Sequence, residues 1–134
     1  MWDPGTAVKD VLIIEDNELV RRSLERAFER EGYTVTTAGN GQAALHDLSA
    51  SDAPPKIIIM DLVMPIMDGW KLRQRLLEQP RWADIPVIAF SGAGCEDTDK
   101  TLPGVLCILK PVSLPVLFRS VAKLIGETRP KQPN

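Results

Sequence analysis

Five polar residues stand where short apolar runs end. Glu15 and Asp16 follow Val11-Leu12-Ile13-Ile14. Asp61 follows Lys56-Ile57-Ile58-Ile59-Met60, Ser91 follows Pro86-Val87-Ile88-Ala89-Phe90, and Lys110 follows Val105-Leu106-Cys107-Ile108-Leu109. Taken together they are an acid trio, a hydroxyl and an ammonium. Three crowded carboxylates repel, so at least one pKa should rise unless a cation is present. Oxygen donors without cysteine or histidine suit a hard ion such as Mg²⁺, which works with one or two carboxylates plus phosphate oxygens. With that ion bound, Asp61 is free to act as a nucleophile toward a phosphoryl group. Lys110 and the Ser91 hydroxyl could clamp the charge that develops on it. Singly, each residue has a plainer reading. Asp16 or Asn17 could cap a helix, Asp61 could be a helix N-terminal acid, Ser91 a turn residue and Lys110 a solvated loop lysine. Their shared placement at strand ends is what favours the chemical reading.

The elements that would position them alternate. Val20, Leu24, Ala27 and Phe28 recur at helical spacing, and Gly32 is the expected stop. Thr34–Ala38 is β-branched and alternating, as a half-exposed edge strand is. A short helix spans about Gly41 to Ser49, with Ala44, Leu45 and Leu48 buried. Another runs near Asp68 to Gln79. A last helix carries the stripe Leu114, Leu117, Phe118, Val121, Leu124, Ile125. The continuous apolar runs read as central strands. Five alternations of strand and helix predict a doubly wound α/β fold with a parallel sheet in the flavodoxin-like order 2-1-3-4-5. All strand C-termini then share one rim, beside the switch point where ligands bind.

The 134 residues suit one domain, expected over residues 8–126 between an N-terminal extension (1–7) and a polar tail or linker (127–134). A net charge of −2 gives no basic footprint for nucleic acid. No apolar run is long enough to span a bilayer, and the first residues lack signal-peptide character, so a cytoplasmic protein is expected. Cys95 and Cys107 are expected as reduced thiols, and the lone His46 as a surface residue.

The segments Val11–Asn17, Asp61–Gly69, Ala89–Ala93 and Leu109-Lys110-Pro111 resemble the receiver (CheY-like) domain of two-component response regulators over about Val8 to Gly126. The resemblance implies a switch, not a turnover enzyme: Asp61 accepts a phosphoryl group from a histidine kinase or histidine phosphotransfer protein, and a downstream effector reads the altered surface. It implies Asp16 as a direct Mg²⁺ ligand, Glu15 acting through water, the Val63 carbonyl completing the metal site, Ser91 as the switch hydroxyl, Lys110 contacting a phosphoryl oxygen, and a cis Lys110–Pro111 bond. Two positions depart from the family pattern. Cys107 stands where an aromatic residue is common three before the lysine. The stretch from Gly92 to Gly104 has little apolar stripe, so the fourth helix is expected to be short or disordered. The first and last helices are then the better surfaces for partner contact.

Three rivals are weaker. Gly39-Asn40-Gly41-Gln42-Ala43-Ala44 fits a G-x-G-x-x-A dinucleotide loop, but it follows the edge-like strand, and Glu15-Asp16 would repel a pyrophosphate. An aspartyl phosphatase of the haloacid dehalogenase type needs a second acid two residues after the nucleophile, where Val63 stands. A pseudo-receiver, a phosphorylation-independent interaction module, remains the alternative, with the intact acid site arguing against it.

Overall fold

Apolar runs become strands here because each strand alternates its side chains between two helix layers. The computed structural model describes residues 10–92 and 104–126. The strands are β1 (Val11–Ile14), β2 (Val35–Ala38), β3 (Ile57–Asp61), β4 (Val87–Ser91) and β5 (Val105–Leu109). The helices are α1 (Glu18–Arg30), α2 (Gly41–Ala50), α3 (Gly69–Leu77), a single turn α4 (Pro80–Ala83) and α5 (Leu114–Gly126). Every pairing is parallel and the order is β2-β1-β3-β4-β5, the expected doubly wound topology. The extension 1–7, the tail 127–134 and the expected fourth helix lie outside the described residues.

Two cores result, one on each face of the sheet. Leu12, Ile14, Ile58 and Met60 pack toward α2 and α3 through Leu48, Leu72 and Leu76. Val11, Ile13, Ile57 and Ile59 pack toward α1 and α5 through Leu24, Phe28, Leu117 and Val121. Phe28 is fully buried and meets Phe118 edge-on at 5.0 Å, tying α1 to α5. Helix entries are set by side-chain caps: Asn17 accepts from the Val20 N–H, Asn40 from Ala43, and Asp68 from Lys71. Gly32, at φ +93°, lets the chain leave α1 through left-handed backbone that a side chain would oppose.

Several local expectations are corrected. Asp61 and Ser91 are the last residues of β3 and β4, not the first beyond them. β5 forms an edge, as the predicted order requires, but its run is apolar throughout and leaves Leu106 and Leu109 exposed. A run of apolar residues reports hydrophobicity on two faces, but only the strand order says whether a neighbour exists on both sides. α3 ends at Leu77, because the residue before Pro80 is pushed into extended backbone (Gln79 ψ 118°), and Pro80 then starts its own turn, which buries Trp82. Val20 and Leu114, assigned to buried stripes, are exposed. The G-x-G-x-x-A motif follows edge strand β2, away from the switch point. Its Gly41 is explained by packing, since a Cβ there would stand 3.0 Å from Met67 Cγ. Cys107 is disulfide-bonded, where reduced thiols were expected. Pairing depends on the approach of two Cβ atoms in space, which a count of cysteines does not report. Cys95 lies outside the described residues.

Candidate functional site

Parallel register delivers the polar strand ends to one rim. At the exit of β1 the Glu15 N–H donates to the Ala38 carbonyl of β2 at 3.1 Å, holding that turn against its neighbour. Asp61 closes β3 opposite Phe90, and Ser91 closes β4 opposite Leu109. The Lys110 N–H donates to the Ser91 carbonyl at 2.9 Å, so the lysine leaves β5 in register with the other ends. Its Nζ then reaches Asp61, donating to Oδ2 at 2.7 Å. The Asp61 side chain is 9% exposed and that of Lys110 40%, so the carboxylate lies at the floor and the ammonium at the lip. Asp61 Oδ1 accepts the Val63 N–H at 3.1 Å. Carboxylate oxygens of Glu15, Asp16 and Asp61 lie within 4.8 Å of one another. Ser91 is buried at the end of β4, the strand next to β3. The Lys110–Pro111 bond is cis.

The electrostatics follow from this crowding. Burial pushes the Glu15 carboxyl above the ordinary range. An N–H donated by Asn17 opposes that, while the Asp16 side chain and the Asp61 charge reinforce it. The hydrogen bond to Asp61 raises the Lys110 ammonium above its usual value, against the effect of its partial burial. One ammonium therefore faces three acids. A divalent cation held by these oxygens would offset the remaining repulsion, and the donor set, all oxygen and partly exposed at Asp16, fits a hard metal ion.

The loop after Asp61 is held by backbone fit. The Gly69 N–H donates to the Leu62 carbonyl at 2.8 Å. A Cβ on Gly69 would stand 2.8 Å from Leu62 Cδ2 and 3.0 Å from Leu62 Cα, so only glycine lets α3 begin this close to the end of β3. Between them the chain turns tightly, with the Met67 N–H donating to the Pro65 carbonyl at 2.7 Å. This places Ile66 at φ +70°, a left-handed conformation that a β-branched residue resists. Ile66 is 77% exposed and Val63 69%, so both project from the rim into solvent.

Two features escaped the sequence reading. Arg21, on the first turns of α1, reaches back to donate from Nη1 to the Glu15 carbonyl at 2.9 Å. A groove of about 740 Å³ also opens between α1 and the start of α5, lined by Leu19, Val20, Leu24, Phe90, Val112 and Leu114, with Glu15 and Lys110 also in its wall. Helical periodicity marked Val20 as core, which hid its part in this surface. His46 is exposed on α2, away from the acid trio, as expected.

Comparison with known proteins agrees with the geometry. The family model for the response regulator receiver domain matches residues 11–122. The polar-differentiation response regulator DivK of Brucella anthropi is 30% identical over 122 residues, covering 89% of this chain and 98% of DivK. Other curated response regulators are longer, and the chain spans 52% of one and 18% of another. Among solved structures, the signal receiver domain of a signal transduction histidine kinase from Syntrophus aciditrophicus superposes with a TM-score of 0.79 at 30% identity, over 95% of this chain and 97% of that one. The receiver domain of sensor histidine kinase PA1611 from Pseudomonas aeruginosa, described with a magnesium ion coordinated in its active site cleft, gives 0.77 at 24% identity, over 90% and 99%. An acid trio, a lysine and a hydroxyl on the rim of a 2-1-3-4-5 sheet, with a family match across nearly every described residue, place this chain in the response regulator receiver domain family.

Proposed function

We propose that Asp61 accepts a phosphoryl group and that this changes the surface the domain offers to an effector. The observation that carries the proposal is the 2.7 Å contact between Lys110 Nζ and Asp61 Oδ2. It sets a permanent cation against the oxygen whose neighbours must accommodate the incoming phosphoryl charge. Glu15, Asp16 and Asp61, with the Val63 carbonyl, would hold Mg²⁺, consistent with the ion described for the PA1611 receiver. When bound, the ion supplies charge neutralisation to the phosphoryl oxygens. An Asp61 oxygen forms a bond to phosphorus while the bond from phosphorus to the donor's imidazole nitrogen breaks. The products are an acyl phosphate and a free imidazole, which takes up a proton. Lys110 pairs with a phosphoryl oxygen, and the Ser91 hydroxyl, at the end of neighbouring β4, donates to another. The residues act once per phosphorylation and assist its reversal, as a switch and not a turnover enzyme does.

The donor's source is a sensor histidine kinase or a histidine phosphotransfer protein. The apolar groove between α1 and α5 is the surface such a donor would cover, because Lys110 and Glu15 in its wall connect it to the acceptor. Phosphorylation adds about −1.5 to −2 charge beside buried Ser91. A population shift near β4 and β5 is then read by the effector. The Cys107 position, without the family's frequent aromatic side chain, requires that shift to proceed by another packing change.

Incubation with acetyl phosphate tests the reading. Intact mass should rise by one phosphoryl group in the presence of Mg²⁺, and not in its absence or in Asp61→Asn. No gain in the unaltered protein would leave the interaction-module alternative standing instead.

A further inference from the structure

The Glu15 carbonyl is the point where β1 stops and the metal-binding turn begins. Its own N–H is committed to Ala38 of β2. The carbonyl oxygen is taken by Arg21 Nη1 at 2.9 Å in a partly buried hydrogen bond. A Cβ placed on Gly39 would touch the same Nη1 at 3.5 Å, so the guanidinium lies between the exits of β1 and β2. That carbonyl belongs to the peptide plane joining Glu15 to Asp16. The plane is rigid, and the two acids project from its opposite ends, so one hydrogen bond to its oxygen fixes the origin of both carboxylates. The rest of the turn is tied locally: Asn17 N–H to Glu15 Oε2 at 3.2 Å, and Val20 N–H to Asn17 Oδ1 at 3.0 Å. Among the described residues, the side-chain donor to the Glu15 carbonyl is Arg21, which reaches back to it from within the next helix.

We infer that Arg21 is a positioning residue for the cation site, orienting Glu15 and Asp16 through the peptide that joins them. The inference rests on the Mg²⁺ reading of that site. Its distinguishing feature is a sign. A guanidinium beside an acid cluster repels a divalent cation, so if Arg21 acted by charge alone, its removal would tighten Mg²⁺ binding. If it acts by orientation, removal weakens binding despite the loss of a positive charge. Outer partners of metal ligands are typically worth on the order of 10-fold or more in affinity.

Arg22 supplies the control. It is the next residue on the same helix, it pairs with Glu18 at 3.4 Å with both side chains about two-thirds exposed (65% and 64%), and among the described residues it makes no ion pair with the acid trio. Mg²⁺ alone is titrated calorimetrically into the unaltered protein, Arg21→Met and Arg22→Met, with thermal melts in chelator confirming that each is folded. Arg21→Met is expected to bind Mg²⁺ on the order of 10-fold more weakly, while Arg22→Met binds as well as the unaltered protein or slightly better. Should Arg21→Met not melt cooperatively, Arg21→Gln, neutral and too short to replace the fork, is read in the same way. Equal or tighter binding by the Arg21 variant overturns the inference alone. Absence of Mg²⁺ binding by the unaltered protein overturns it together with the metal reading.

Discussion

A single methyl group added at Gly69 tests how far the end of β3 depends on the start of α3. The Cβ of Gly69→Ala would meet Leu62 Cδ2 at 2.8 Å, Leu62 Cα at 3.0 Å and the Asp61 carbonyl oxygen at 3.3 Å. Comfortable carbon contacts lie near 3.5–4.0 Å, so one side must retreat by roughly half an ångström or more. Leu62 is fully buried and its carbonyl is held to Gly69 at 2.8 Å, so neither side moves freely. Overpacking of this kind costs about 1–3 kcal/mol. Alanine returns about 0.4–1 kcal/mol by restricting the unfolded chain. The net loss is about 1–2 kcal/mol, which for a domain of this size lowers Tm by roughly 3–8 °C. Gly126→Ala makes the same chemical change at the end of α5, where nothing lies within 4 Å, and should leave Tm level or raise it. Thermal unfolding followed by circular dichroism compares the two. Phosphorylation by acetyl phosphate should also slow in Gly69→Ala, because Leu62 cannot yield without shifting Asp61. Shifts of the same sign in both variants, or a Gly69→Ala protein melting within about 1 °C of the parent, would refute the close-packing argument.

Replacing exposed Ile66, at φ +70°, with glycine removes a left-handed strain of about 1–2 kcal/mol at some cost in unfolded-chain entropy. Tm should rise by a few degrees, and a fall would show that the turn carries no strain. Lys110→Met removes the partner of Asp61, and the rate of acetyl phosphate labelling should drop by about 10²–10³-fold, as for other charge-stabilising donors. Labelling within threefold of the parent would assign the lysine to structure alone. Because burial raises the Glu15 carboxyl, its folded pKa exceeds its unfolded value of 4.5. That carboxyl favours the fold at low pH, and the contribution fades as pH rises through the raised value. Glu15→Gln measured in chelator should therefore stabilise the domain at neutral pH, with the advantage shrinking as pH falls toward 4.5. An advantage that persists unchanged at low pH would point away from the charge.

The rim was readable from sequence because each polar residue interrupts an apolar run at the same place. A parallel sheet with right-handed crossovers then has few ways to arrange the ends. Strand order and the proximity of Asp61 to Lys110 follow from that pattern alone. What could not be read depends on approach in space. Gly69 looks like any helix-entry glycine until Leu62 is seen pressed against it. Arg21 sits on a helical face where periodicity predicts only solvent. The exposure of Leu106 and Leu109 on β5 could not be read, because hydropathy does not report the number of neighbours. Val20 and Leu114 fit the stripes of α1 and α5, yet they line the groove between those helices and not the core. The disulfide at Cys107 was missed for the same reason, since pairing is a property of tertiary contact.

The acid trio and its ammonium belong to different stretches of chain: Asp61 and Lys110 are 49 residues apart, and β5 adds to the sheet beyond β4. During synthesis all three carboxylates leave the ribosome well before the lysine that restrains them. A nascent or C-terminally clipped chain thus presents mutually repelling acids without their counter-charge. On the proposed reading, competence to receive a phosphoryl group is in this way conditional on β5 having docked, so a signal could be written only once that strand is in place.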